Sequence, residues 1–226
     1  MNKNISAYLA EFLATFALVF FGVGAIMTNH LLGGSLGLLG IAAAHGIALV
    51  VMIAATMNIS GAHINPAVTF AMLVTRRIGF TTAIGYFCSQ MLGAYYGAWI
   101  LSFFFPAGLA QAVNFGIPAL QNGMTYSGGI IVEAILTFFL VYAIFGSAVD
   151  ERGPKLLAPF AIGLAVFIDI LVGGPFTGAA MNPARAFGPT LLSGDWTNHS
   201  VYWIGPLCGS LLAALVYDGL IMKKKV

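Results

Sequence analysis

Two Asn-Pro-Ala triplets, Asn65-Pro66-Ala67 and Asn182-Pro183-Ala184, are the residues of this sequence best placed to act on another molecule. Asparagine carries two amide N–H donors and one acceptor oxygen, and it caps helix N-termini. Proline fits the first helical turn, where its missing N–H would be unpaired anyway. Each triplet therefore reads as a helix start that aims an amide, and the positive end of a helix dipole, at a polar guest. A single triplet of this kind is common in turns. Two of them, each opening an apolar run too short to cross a bilayer (67–74 and 184–192), make a pattern.

Other polar residues stand out because their surroundings are apolar. Glu11 and Glu133 lie inside hydrophobic stretches, where an acid is costly and functional by default. They suit either a proton relay or acceptors for backbone N–H groups of irregular loops; their matched positions favour the acceptor role. His63, two residues before Asn65, is expected to bond loop backbone. Arg185 directly follows the second triplet and is an always-charged donor fork. His30 and His199 are expected in outer loops as solvated side chains. Asp169 is expected near the outer end of a span, pinning a loop or reaching the interface. Asn198-His199-Ser200 matches a glycosylation sequon, a weak pattern by itself. Cys88 and Cys208 sit in apolar runs and read as packing residues, so neither a disulfide framework nor a metal cluster is expected.

These residues are positioned by a chain that cannot face water on all sides. Of its 226 residues, 60% are hydrophobic and 7% charged, against about 25% charged in a soluble domain. That excludes a cytosolic enzyme, a nucleic-acid binder and a disordered scaffold, and the net charge of +2 is too small to imply a polyanionic partner. Six stretches approach the roughly 20 apolar residues of a membrane span: 7–27, 38–57, 81–105, 130–148, 156–172 and 201–222. The first is too long for a cleaved signal peptide and contains Glu11. No polar linker divides the chain, so one domain over 1–226 is expected. Lys3, Arg76, Arg77, Arg152, Lys155 and Lys223–Lys225 all fall on the same side when the N-terminus is inside, which places both termini in the cytoplasm. Arg185 is the exception.

The halves repeat. Glu11-Phe-Leu-Ala-Thr15 matches Glu133-Ala-Ile-Leu-Thr137; Ser60-Gly61-Ala62-His63-Ile64 before the first triplet matches Thr177-Gly178-Ala179-Ala180-Met181 before the second; Gly93/Gly97 match Gly205/Gly209. Each half (about 1–105 and 127–226) holds three spans, so the second inserts upside down, and such repeats meet at the bilayer midplane through interrupted helices. The expected fold is all-α: six transmembrane helices plus two half-helices whose N-termini face each other. The glycine pairs read as ordinary close helix packing.

With these motifs in place, the whole chain resembles the aquaporin (major intrinsic protein) family. The resemblance implies a passive water channel that excludes protons and ions, one pore per protomer, usually in a homotetramer, with no cofactor and no enzymatic activity. It also implies a constriction at four positions counted from the triplets: His45, Ile170, Ala179 and Arg185. Histidine at the first and isoleucine at the second resemble the tonoplast intrinsic proteins, which implies that ammonia, urea or hydrogen peroxide pass as well. The outer loop 105–127 has no histidine, which weakens the ammonia case. A glycerol facilitator is the alternative; that branch has tryptophan and phenylalanine in the filter and aspartate after the arginine, where this chain has Ala186. A proton-coupled transporter is a remoter one. Ala179 stands where many members carry a mercury-sensitive cysteine, so weak mercurial block is expected. A plasma (cell inner) membrane location is the remaining expectation.

Overall fold

The structure is a computed structural model and describes residues 3–106 and 108–222; Lys223–Lys225 and the side chain of Lys3 lie outside the described part. Helices α1 (Lys3–Leu31), α2 (Gly37–Ser60) and α4 (Phe80–Leu101) form the first half, with α3 (Pro66–Val74) between the latter two. A short α5 (Leu109–Ala112) lies in the outer connection. Helices α6 (Tyr126–Ile144), α7 (Ala158–Thr177) and α9 (Val201–Val216) repeat the order, with α8 (Pro183–Ser193) before α9. Single π-helical turns, Phe145–Val149 and Tyr217–Ile221, extend α6 and α9.

Large apolar side chains point outward, and small ones fill the middle. Ile47, Val172 and Phe21 are each more than half exposed, whereas Ala14, Ala42, Ala94 and Ala184 are fully buried. Lipid tails are as apolar as leucine, so burying large side chains gains little in a bilayer and close backbone packing decides the contacts. The glycine pairs show it. A Cβ on Gly97 would stand 2.6 Å from the Phe16 carbonyl oxygen, and one on Gly205 2.6 Å from Glu133 Cβ, so α1 packs on α4 and α6 on α9 at backbone distance.

Five described helices are both long and apolar enough to cross a membrane: Asn4–Leu31, Gly37–Ser60, Tyr126–Val149, Lys155–Thr177 and Val201–Ile221. The sixth expected span, α4, has the length at 22 residues, but Tyr86, Gln90, Tyr95, Tyr96 and Trp99 dilute its hydropathy. It also ends at Leu101, four residues short of the expected boundary. Pro106 keeps the helix from resuming beyond that point: it offers no N–H to the Ser102 carbonyl, and it disfavours the helical region for Phe105.

At the inner face, Arg77 follows the first half-helix, pairs with Asp218 at 2.6 Å and lies 5.6 Å over the Phe145 ring. Arg152 pairs with Asp150 and also donates to the Ile221 carbonyl. The connection between α6 and α7 is thereby tied to the end of α9. Those bonds hold Asp150 well below the ordinary carboxylate range, at about 2.

Candidate functional site

Each half-helix begins after a loop that descends from the end of a spanning helix. Gly61 and Gly178 stop α2 and α7 in the left-handed conformation, at φ 87° and 81°, and donate back to Met57 and Gly174. The next residues alternate in the same unusual way: Ala62 and Ile64 in the first loop, Ala179 and Met181 in the second, all have positive φ. For residues with a Cβ this costs about 1–2 kcal/mol each, so something must hold them.

The two buried glutamates do. Glu11 Oε1 accepts from the Ser60 hydroxyl (2.7 Å) and the His63 N–H (2.8 Å), while Oε2 accepts from the Ile64 N–H (2.6 Å) and the Gln90 amide (2.8 Å). Glu133 Oε1 accepts from the Thr177 hydroxyl (2.6 Å) and the Ala180 N–H (3.0 Å), and Oε2 from the Met181 N–H (2.7 Å). Every carboxylate oxygen is satisfied by loop donors, which is what irregular backbone at membrane depth requires. His63 differs from expectation: its ring Nδ1 meets the Thr69 hydroxyl at 3.1 Å rather than loop backbone, and the ring packs edge-on against Tyr86. The reason is local, since Thr69 lies one turn into the half-helix that His63 leads into.

The triplets then interlock. Asn65 Oδ1 caps the Ala67 N–H at 2.8 Å; Asn182 Oδ1 caps those of Ala184 (3.0 Å) and Arg185 (3.3 Å). The amide nitrogens cross over: Asn65 Nδ2 donates to the Met181 carbonyl (2.8 Å), and Asn182 Nδ2 to the Ile64 carbonyl (3.0 Å). Each asparagine thus starts its own helix and ties down the loop of the other, so the two half-helices meet tip to tip. Each Nδ2 keeps a second hydrogen.

One narrow cavity runs past this junction, and its walls include Asn65, Asn182, His45, Ile170, Ala179 and Arg185. Arg185 is 3% exposed and donates from Nη1 to the Gly116 carbonyl at 2.8 Å. His45 is held by a bond from ring Nδ1 to the Ile41 carbonyl at 2.9 Å. His63 lines it too, and the rest of the wall is apolar, with Leu18, Leu49, Ile53, Leu140 and Val166 among its residues. Gly116 is the functional group the sequence does not reveal. It acts through a carbonyl, which has no residue-type signature, and it reaches Arg185 from a loop 69 residues away.

Three other positions differ from expectation. His30 belongs to the last turn of α1 rather than to a loop. His199 is not a freely solvated side chain: its Nε2 accepts from the Trp203 indole at 3.0 Å, and its ring packs against Trp196. Burial pushes its pKa below the ordinary value. Asp169 is 6% exposed and lies in the middle of α7, so it does not reach the interface, and its Oδ2 has no partner. It sits on the α7 face that packs inward, one residue before Ile170.

The major intrinsic protein family model matches residues 1–217. The chain belongs to that family. Among curated aquaporins it is 44% identical to aquaporin TIP4-4 of Zea mays, over 96% of this chain and 87% of the relative. It is also 44% identical to probable aquaporin TIP3-2 of Arabidopsis thaliana (97% and 85%) and 42% identical to aquaporin TIP2-1 of Arabidopsis thaliana (97% and 88%). Its fold is similar to the X-ray structure of the aquaglyceroporin from Plasmodium falciparum, with a TM-score of 0.87 and 27% identity, covering 96% of this chain and 97% of that one. This aquaporin-family chain is an integral, multi-pass membrane protein with an all-helical fold.

Proposed function

We propose that the chain is a passive water channel, with small neutral solutes admitted according to the width of the constriction formed by His45, Ile170, Ala179 and Arg185. The observation that carries this is the tip-to-tip meeting of two half-helices beside a cavity that both asparagines and Arg185 line.

The mechanism arises from the donors at that place. Two helix N-termini contribute roughly half a positive charge each, and the Arg185 guanidinium adds a full one. A cation or hydronium therefore meets a barrier on the outer side and again at the centre. Each asparagine retains one amide hydrogen after its cross-loop bond. A water at the junction offers its oxygen to both, so its own hydrogens point away along the pore. The hydrogen-bonded wire that a proton needs is thereby interrupted. The largely apolar remainder of the wall gives water few places to linger.

The proton-coupled transporter reading is disfavoured by the same bonds. Alternating access rocks one repeat against the other, whereas here Asn65 and Asn182 tie the repeats together at the point that would have to open. The structural likeness to an aquaglyceroporin keeps glycerol as the second reading, although Ala186 follows Arg185 where the glycerol branch has aspartate. By family resemblance the channel assembles as a homotetramer. Both termini are cytoplasmic on the charge distribution. The relatives are plant tonoplast intrinsic proteins and lend no support to the plasma-membrane expectation.

The test is stopped-flow light scattering on proteoliposomes, with water, glycerol, urea and ammonia run in parallel. Water flux well above empty liposomes, non-saturating and with a low activation energy, is the expected result. Saturable uptake driven by a pH gradient would replace the channel with the transporter, and glycerol flux comparable to water would favour the second reading.

A further inference from the structure

Gly22 lies on α1, buried, directly behind the His45 ring. A Cβ built at Gly22 would stand 2.5 Å from His45 Cδ2 and 2.8 Å from Cε1, and closer still to Nε2. Its three nearest atoms all belong to the ring. Glycine weakens a helix interior relative to alanine, so its presence here calls for a steric reason, and the ring supplies one. The neighbouring Gly24 does not share it, because a Cβ there would make ordinary contact at 3.4 Å with Leu101.

We infer that Gly22 is a specificity-determining position of the channel: its missing side chain forms the slot that receives the His45 ring and so sets how far that ring stands into the lumen. The inference rests on the water-channel reading proposed above. His45 is anchored by its bond to Ile41, and its far edge is the part that meets α1. Interiors are packed without spare volume, and the open space beside the ring is the cavity it lines. A methyl group at position 22 therefore drives the ring away from α1 and into the passage, toward Ile170 and Arg185. A residue outside the constriction thus controls its width. Gly22 is a positioning residue, since it acts only through His45.

Four variants test this in the full-length protein: Gly22→Ala, Gly24→Ala, His45→Ala and the Gly22→Ala/His45→Ala pair. Each is reconstituted, and water, hydrogen peroxide and urea fluxes are read per folded protomer. Gly22→Ala should lower permeability in order of solute size, by roughly tenfold for the largest solute the parent passes, the scale on which a methylene group discriminates in a pocket. Gly24→Ala, with the same change in helix propensity, should match the parent. With His45 already alanine, adding Gly22→Ala should change nothing. Should Gly22→Ala alone misfold, recovery of folded protein in the pair identifies the ring as the clash and supports the inference. Parental flux in Gly22→Ala, an equal loss when His45 is absent, or misfolding of the pair as well overturns it. A parent protein with no water flux would instead sink the channel reading, so the two failures are distinct.

Discussion

Glu11 and Glu133 hold the two descending loops in the same manner, yet the surroundings of the loops and the half-helices beyond them differ. In the first half the carboxylate collects four donors, one of them the Gln90 amide from α4; in the second it collects three. His63 fills the space beside the first loop, where the second has only Ala180. Three residues past the asparagine, the first half-helix carries Val68 and the second carries Arg185. Both line the cavity. The duplicated part of the molecule is the scaffold, and charge discrimination is assigned to one copy. Two opposed dipole tips need symmetry, but a second guanidinium on the inner side would add desolvation cost without a matching carbonyl such as Gly116 to receive it.

The largest effects are expected at the glutamates. Glu11→Ala orphans four buried donors and Glu133→Ala three, at about 1–3 kcal/mol for each. Both variants should lose several kcal/mol and most of their water flux, with Glu11→Ala melting at the lower temperature in detergent. Equal or reversed midpoints would mean that Gln90 contributes nothing to the first half. Next in size is Arg185→Val, which restores the Val68 residue type to the second half. Each 1.4 kcal/mol of lost repulsion raises the leak about tenfold, so proton or cation conductance should rise by at least about that factor. An unaltered pH-dye signal in proteoliposomes would remove Arg185 from the barrier.

The asparagines give a subtler contrast. Asn182→Asp should weaken cation exclusion, and Asn65→Asp should do so more, because only position 182 has an arginine close by to offset the new charge. Reversal potentials in a salt gradient read the order directly. The smallest effect is expected at the inner face. Asp150 titrates below its ordinary value because Arg152 bonds its charged form. The stabilisation is therefore fully present above about pH 3.9, the ordinary aspartate value, and is lost only as pH falls through about 2. Protease access to the Asp150–Lys155 connection should thus be constant across the neutral range in the parent protein, and modestly greater in Asp150→Asn. A change in parental cleavage near neutral pH would point to another titrating group.

Much of this was legible from residue types. A run of apolar residues interrupted by a paired Asn-Pro-Ala has few physical solutions, because backbone without partners is intolerable in lipid. The repeated Glu-x-x-x-Thr blocks, at Glu11 and Glu133, then mark where the loops find their acceptors. Residues whose effect is a backbone atom or an empty space were not legible. Gly116 acts through its carbonyl and Gly22 through the absence of a side chain, and neither carries a distinguishing chemical type. His63 and His199 were misplaced because each ring turns to a hydroxyl or indole only a few residues further on, Thr69 and Trp203, and Asp169 because its burial depends on the helices packed around α7.

Hydropathy, spacing and capping are local properties, and from them alone the chain reads as one that lives in a bilayer, repeats in opposite orientations and starts two helices at membrane depth. Which atoms answer one another emerges from the folded chain: Asn65 with Met181, Asn182 with Ile64, Arg185 with Gly116, His45 with Gly22. These pairings depend on how closely separate helices approach, and that distance is set by packing across the whole molecule.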